Sequence, residues 1–195
     1  MSITPQENLM NLGDRILWGM QEYKATEQGT ITESVPAEAL GRPNTNPPTV
    51  VDQANLRLLA FTLNTDSVSI KMPVPWDLVS GEDIKLCAVW TNDGGVDDNT
   101  KDVKAQFDYQ TASEGDSVDG SHANSPKTIN DTYTSASGWI EHHTAYVTIA
   151  NADFSGEACI FIKISFITPD GVALTCEPHL IGICIQYLAH KVKTS

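Results

Sequence analysis

The chain has 195 residues, 41% of them hydrophobic and 19% charged, which is enough apolar material for one core of ordinary domain size. Its formal net charge is −13. No basic tail offsets that charge, so nucleic acid and other polyanions are poor partners. No apolar run reaches the roughly 18 residues of a membrane span. The opening residues MSITPQENLMNLGDRILWG lack the basic and apolar regions of a secretory signal. The expectation is a protein made in a cytoplasm, with no membrane partner.

Residues 4–25 read as one helix. Thr4 can cap it, Pro5 suits its first turn and Glu7 completes a capping box. Leu9, Leu12, Ile16, Met20 and Tyr23 recur at helical spacing on one face. Gly13 and Gly19 each cost about 1 kcal/mol relative to Ala, so the helix needs a surface to cover its stripe. That surface is either the chain's own sandwich or another protein. Docking to another chain is the favoured reading, which makes these five residues the candidate partner-binding set.

Residues 26–55 have the weakest periodicity. GRPNTNPPTVV (41–51) crowds three prolines and two asparagines together, as an extended linker does. The expected division is a helix and linker arm over 1–55, followed by a β domain over 56–195.

From Leu56 the period becomes two. Strand patterns cover 56–64, 68–74, 84–91, 103–110, 139–150, 159–167 and 180–190. Inward sets are Ile84, Leu86, Ala88, Trp90; Val103, Ala105, Phe107, Tyr109; Ala145, Val147, Ile149; Ile160, Ile162, Ile164, Phe166; and Ile181, Ile183, Ile185, Tyr187. Strands joined by polar turns, without intervening helices, predict an all-β fold: an antiparallel, jelly-roll-like sandwich preceded by the helix and arm. A polar insertion from Glu114 to Gly138 is too long for a hairpin turn, and loops of that length tend to be functional or mobile.

Residues that could carry chemistry are scattered. Cys87, Cys159 and Cys184 lie in apolar strand patterns and read as buried reduced thiols. A zinc site or a disulfide is the less favoured reading of the cysteines, and Cys176 beside Glu177 and His179 is a weak metal signal. His142 and His143 are adjacent in a strand pattern and so point to opposite faces. Asp93, Asp97, Asp98 and Asp102 offer oxygens for a hard cation, but they lack EF-hand spacing, and a solvated hairpin tip is the better reading. Glu141, Asp153 and Glu157 form no evident catalytic pair of the kind glycosidases use. Nucleophile-elbow, phosphate-loop and zinc-protease motifs are missing from the sequence. The expectation is a protein that is not an enzyme, with no catalytic residue, cofactor or metal.

The stretch IKMPVPWDLVSGEDIKLCAVW (70–90) is architectural. Its prolines fix the end of a strand, Trp76 is placed as a cap on the open edge of the core, and Asp77 with Ser80-Gly81 turns the chain into the next strand. This order resembles a pattern in β-sandwich virion proteins of tailed bacteriophages, in which an aliphatic strand ends at proline and a W/D–hydrophobic–x–S–G turn leads to a strand ending in an aromatic. LIGICIQYLAH (180–190) is similar to the closing strand of those proteins. The resemblance covers roughly residues 56–190. It implies a jelly-roll subunit, often a homotrimer, serving as a capsid decoration (cement) protein, head fibre or tail component. The implied partner is the major capsid protein or another virion protein, and the implied location is the capsid exterior. The alternative is a tail or head-fibre domain that binds a receptor or carbohydrate, with Tyr133, Trp139 and the long insertion as its contacts.

Overall fold

The computed structural model describes residues 28–116 and 126–190. The helix expected over 4–25, with its stripe Leu9, Leu12, Ile16, Met20 and Tyr23, lies outside them.

Among the described residues, eleven strands run in chain order: β1 (Gln28–Pro36), β2 (Thr49–Gln53), β3 (Leu56–Ala60), β4 (Ser67–Pro73), β5 (Ile84–Thr91), β6 (Asp102–Ala112), β7 (Lys127–Thr132), β8 (His142–His143), β9 (Val147–Ile149), β10 (Cys159–Ile167) and β11 (His179–His190). A one-turn helix, α1 (Asn151–Phe154), precedes β10. All strand pairing is antiparallel. The first sheet has the order β2-β3-β11-β5-β8, with β9 also on β5 and β1 also on β11. The second is β4-β10-β6-β7. Because β5 occupies one edge of β11, β3 and β1 share the other edge in line, and β8 and β9 share the far edge of β5 in the same way. The resulting layers, β3-β11-β5-β9 over β4-β10-β6-β7, have the strand order of a jelly roll, two Greek keys wound into one sandwich. The architecture is an all-β sandwich.

The period-two sets of β5, β6 and β10 are those that fill the core. Ile84, Leu86, Ala88, Trp90, Val103, Ala105, Phe107, Tyr109, Ile160, Ile162, Ile164 and Phe166 are all essentially unexposed. Two inward assignments are corrected. Ala145 is exposed, because the pattern over 139–150 breaks between β8 and β9 and Thr144 turns in instead, its Oγ1 accepting from Ala88 N at 3.0 Å. Ile181 faces outward because the β5–β11 register shifts between Leu180 and Gly182, so Leu180 takes the core position.

The expected linker over 26–55 is corrected as well. β1 pairs with β11 along nine residues, and β2 forms a hairpin with β3, so the 55/56 boundary falls inside that hairpin. A single isolated bridge, Gly41 to Ser69, ties the segment after β1 to β4. Proline-rich sequence here shapes turns between paired strands rather than a free spacer. The insertion over 114–138 is also not all loop, since β7 pairs with β6 from Lys127 to Thr132.

Candidate functional site: the loop end of the sandwich

Four connections meet at one end: residues 61–66, 92–101, 133–141 and 168–178. Two of them, 92–101 and 168–178, are tied together by Asp98, which has no exposed surface. Its Oδ1 accepts from Thr175 N at 2.7 Å, Thr175 Oγ1 at 2.5 Å and Lys101 Nζ at 3.2 Å. Its Oδ2 accepts from Asn92 Nδ2 at 2.5 Å and Cys176 N at 3.2 Å. Burial alone would raise this carboxyl, but the donors of Thr175, Asn92 and Cys176 outweigh it and hold the group well below the usual carboxylate range. Five donors use up the lone pairs of one carboxylate, so none is left for a cation.

The other aspartates of the loop do not join Asp98. Asp97 and Asp93 are exposed, and Asp102 accepts from Thr132 Oγ1 at 2.6 Å. The better sequence reading, a solvated tip, is therefore corrected at Asp98 alone, which is a buried tie between two loops. A short-range sequence pattern could not show this, since Thr175 lies on a different connection.

Further hydrogen bonds complete the lattice. Asn64 and Thr168 bond reciprocally, Nδ2 to Oγ1 at 2.8 Å and Thr168 N to Oδ1 at 3.0 Å. Thr62 Oγ1 donates to Glu177 at 2.9 Å, and Tyr133 OH donates to Ser137 O at 2.5 Å. Three non-glycine residues here adopt left-handed backbone, Asn64 (φ 58), Thr100 (φ 72) and Trp139 (φ 65). Such strain costs on the order of 1–3 kcal/mol and persists where surroundings over-determine it. Thr100 N is held by Tyr133 O and Trp139 N by Asn92 O, each at 2.7 Å. The rigid end presents apolar side chains to solvent: Val96 is 70% exposed, Val172 68% and Ile140 44%.

His179 sits at the start of β11, 6% exposed, with its ring centroid 5.1 Å from that of Trp139. Burial pulls its pKa down, against the opposing charges of Asp93 and Glu177. Cys176 does not join Glu177 and His179 as a metal set; its thiol is pushed up, first by burial and then by a hydrogen bond to Asp93. His142 and His143 do face opposite ways: His142 packs its ring against Trp90 and Tyr133, while His143 is exposed beside Glu141. Asp153 accepts from Tyr109 OH at 2.5 Å and Glu157 from Ser113 Oγ at 2.9 Å, so the three carboxylates singled out from the sequence occupy separate hydrogen bonds.

The opposite end carries a cleft of about 460 Å³ between β1 and the end of β4. Ile31, Val35, Ile70 and Met72 supply its apolar wall, and Glu33, Lys71, Asp77 and Tyr187 its polar groups. Burial, then the negative charges of Asp77 and Glu33, push the Tyr187 phenol up to about 12. Trp76 does not cap the core: it is 69% exposed on the cleft's lip. Tyr133, by contrast, is fully buried and cannot serve as a surface contact.

No protein-family model matches the chain, and no curated protein matches it. Among solved structures, infectious bursal disease virus (Gx strain) is similar at 6% identity with a TM-score of 0.43, over 84% of this chain and 32% of that one. The carbohydrate-binding module TmCBM61, in complex with β-1,4-galactotriose, is similar at 17% identity and a TM-score of 0.29, over 88% of this chain and 94% of that one. The enzymatically active domain of bacteriophage CBA120 tailspike protein 4 is similar at 9% identity and a TM-score of 0.31, over 88% of this chain and 20% of that one. The chain thus spans about a third of the viral protein's length and a fifth of the tailspike's.

Proposed function

We propose that this chain is a non-enzymatic virion structural protein, a decoration (cement) subunit on the capsid exterior of a tailed bacteriophage, attached through the residues that precede β1. The observation that carries the reading is the polarity of the sandwich. β1 begins at Gln28 opposite His190, at the end of the sandwich away from the loops that display Val96, Ile140 and Val172. Such a subunit has one end for attachment and one for contact. The jelly-roll strand order, the charge of −13 and the tailed-phage resemblance of residues 70–90 support the same assignment. The partner is the major capsid protein or another virion protein, and Leu9, Leu12, Ile16, Met20 and Tyr23 are the attachment residues.

The test is co-sedimentation with particles stripped of this protein, together with an electron-microscopy map of the decorated particle. The full chain binds and lies on the outer shell, whereas a chain beginning at Gln28, or one carrying Leu12→Asp and Ile16→Asp, stays folded and no longer binds. Undiminished binding by both altered chains overturns the attachment reading.

A second reading, glycan binding, is favoured by the cleft at the β1 end, where exposed Trp76 stands beside Glu33, Asp77 and Tyr187. An amphipathic ring beside hydrogen-bonding groups suits a sugar face. Tryptophan fluorescence that responds to an oligosaccharide in the full chain, but not in Trp76→Ala, would establish it.

A further inference from the structure

Cys87 of β5 and Cys184 of β11 are direct cross-strand partners on the face of the first sheet turned away from the core. One step along the same face, Lys85 is exposed and Gln186 half-buried, as a solvent-facing surface requires. The two cysteines are instead 1% and 8% exposed. The register shift at Leu180/Gly182 turns Ile181 onto this face, where it packs with Val89 and both cysteines in an apolar cluster separate from the main core. β8 places His143 opposite Val89. One ring nitrogen of His143 and the two Sγ atoms all lie within 4.8 Å of one another. Glu141 Oε1 is 2.7 Å from His143 Nε2, the carboxylate–histidine pairing that fixes a ligand ring's orientation.

We propose that Cys87, Cys184 and His143 are the protein ligands of a thiophilic divalent cation, zinc by its chemistry, on the outer face of the first sheet. Two sulfurs and an imidazole suit a borderline-soft, tetrahedral ion rather than calcium or magnesium, which prefer oxygen. Donors of one tetrahedral ion sit roughly 3.5 Å apart, within reach of small side-chain rotations from the present spacing. His143 is 54% exposed, so the fourth position opens to solvent and takes a water. Binding forms two metal–sulfur bonds and releases the thiol protons to solvent. The site has a structural consequence. β8 is two residues long and, among the described residues, pairs with Val89 and Trp90 alone. A cation spanning β8, β5 and β11 clips that short edge, and with it the 133–141 loop, to the centre of the sheet.

The experiment is an anaerobic cobalt(II) titration of the full chain after reduction and chelator treatment. The expected result is one equivalent bound, with the visible and near-ultraviolet bands of tetrahedral thiolate–cobalt, displaced by zinc. Cys87→Ser and Cys184→Ser lose the charge-transfer intensity. His143→Ala, at an exposed position that leaves the circular dichroism unchanged, weakens binding at least tenfold, and Glu141→Gln weakens it about tenfold. Cys176→Ser, away from the site, binds as the parent does. Folded parent protein with no thiolate–cobalt bands overturns the proposal. So do bands that survive in His143→Ala at parent affinity, or an intact mass after denaturing alkylation that shows Cys87 and Cys184 joined in a disulfide rather than four modifiable thiols.

Discussion

Five donors converge on the buried carboxylate of Asp98, and they come from two connections: Asn92 and Lys101 on its own, Thr175 and Cys176 on the one before β11. Removing the carboxylate leaves those donors without an acceptor in a dry site. Asp98→Ala therefore costs about 3 kcal/mol and lowers the thermal midpoint by about 6–12 °C. The pH dependence has two separate windows. Asp98 is depressed in the folded state, so its contribution is complete above the ordinary carboxylate pKa of about 3.9 and is lost only as pH falls through the lower folded value. His179 is also depressed, by burial. The unfolded chain takes up its proton below about pH 6.5 while the folded chain refuses it, so stability declines from there downward. A midpoint-versus-pH series on the parent shows both declines. His179→Gln abolishes the one near pH 6.5, and Asp98→Ala makes the acid one shallower. A decline near pH 6.5 that survives in His179→Gln assigns that window to another group.

β1 shows how a paired strand can read as a linker. Its sequence, QGTITESVP, places Ile31, Glu33 and Val35 on one face. Glu33 interrupts the apolar series because that face meets the cleft, where Tyr187 OH lies 3.4 Å from Glu33 Oε1. The same happens in β7, KTINDT, where Ile129 is the single apolar side chain on a sheet edge. β1 closes against β11 so tightly at Gly182 that an added Cβ would lie 2.6 Å from Val35 O. Gly182→Ala therefore costs about 1–3 kcal/mol, read as a lower denaturation midpoint at unchanged m-value. A chain beginning at Val51 loses all of β1, uncovers one edge of β11 and aggregates. A chain beginning at Gln28 keeps the parent midpoint within a few degrees. If the Val51 chain is soluble with the parent midpoint, β1 is not part of the stable sandwich.

At the scale of the whole molecule, the proposed homotrimer rests on the edges of the two sheets. β2 ends the first sheet on one side and β8 and β9 on the other, β4 and β7 end the second, and β1 flanks an open cleft. Such edges are blunted or covered in stable proteins, and closed symmetric oligomers are a common way to cover a repeated surface. The reading of a homotrimer predicts a sedimentation mass about three times the chain's 21.2 kDa, falling to one chain mass only on dilution. A monomer at micromolar concentration rules out the trimer in solution. On the homotrimer reading, the charge of −13 repels the subunits from one another, and the expected outcome is a trimer that strengthens as salt screens the repulsion.

The sequence by itself determined the all-β class, the span of the strands from β3 through β6 and from β10 to β11, and the inward faces of β5, β6 and β10. Each of β5, β6 and β10 buries one whole face in the core, and β6 alternates apolar with polar residues along VKAQFDYQ, so burial leaves a period-two trace. Tertiary structure decided what depends on partners distant along the chain. Edge strands β1 and β7 need few apolar residues, and their pairing with β11 and β6 defines them. The bulge at Leu180–Gly182 moves Ile181 from the core to the outer face by a register shift that composition does not record. Asp98 becomes a buried tie only when β6 and β11 bring its loop against Thr175. Cys87, Cys184 and His143 meet only because β8, β5 and β11 lie side by side, and a constellation assembled across three strands leaves no spacing pattern in any one of them.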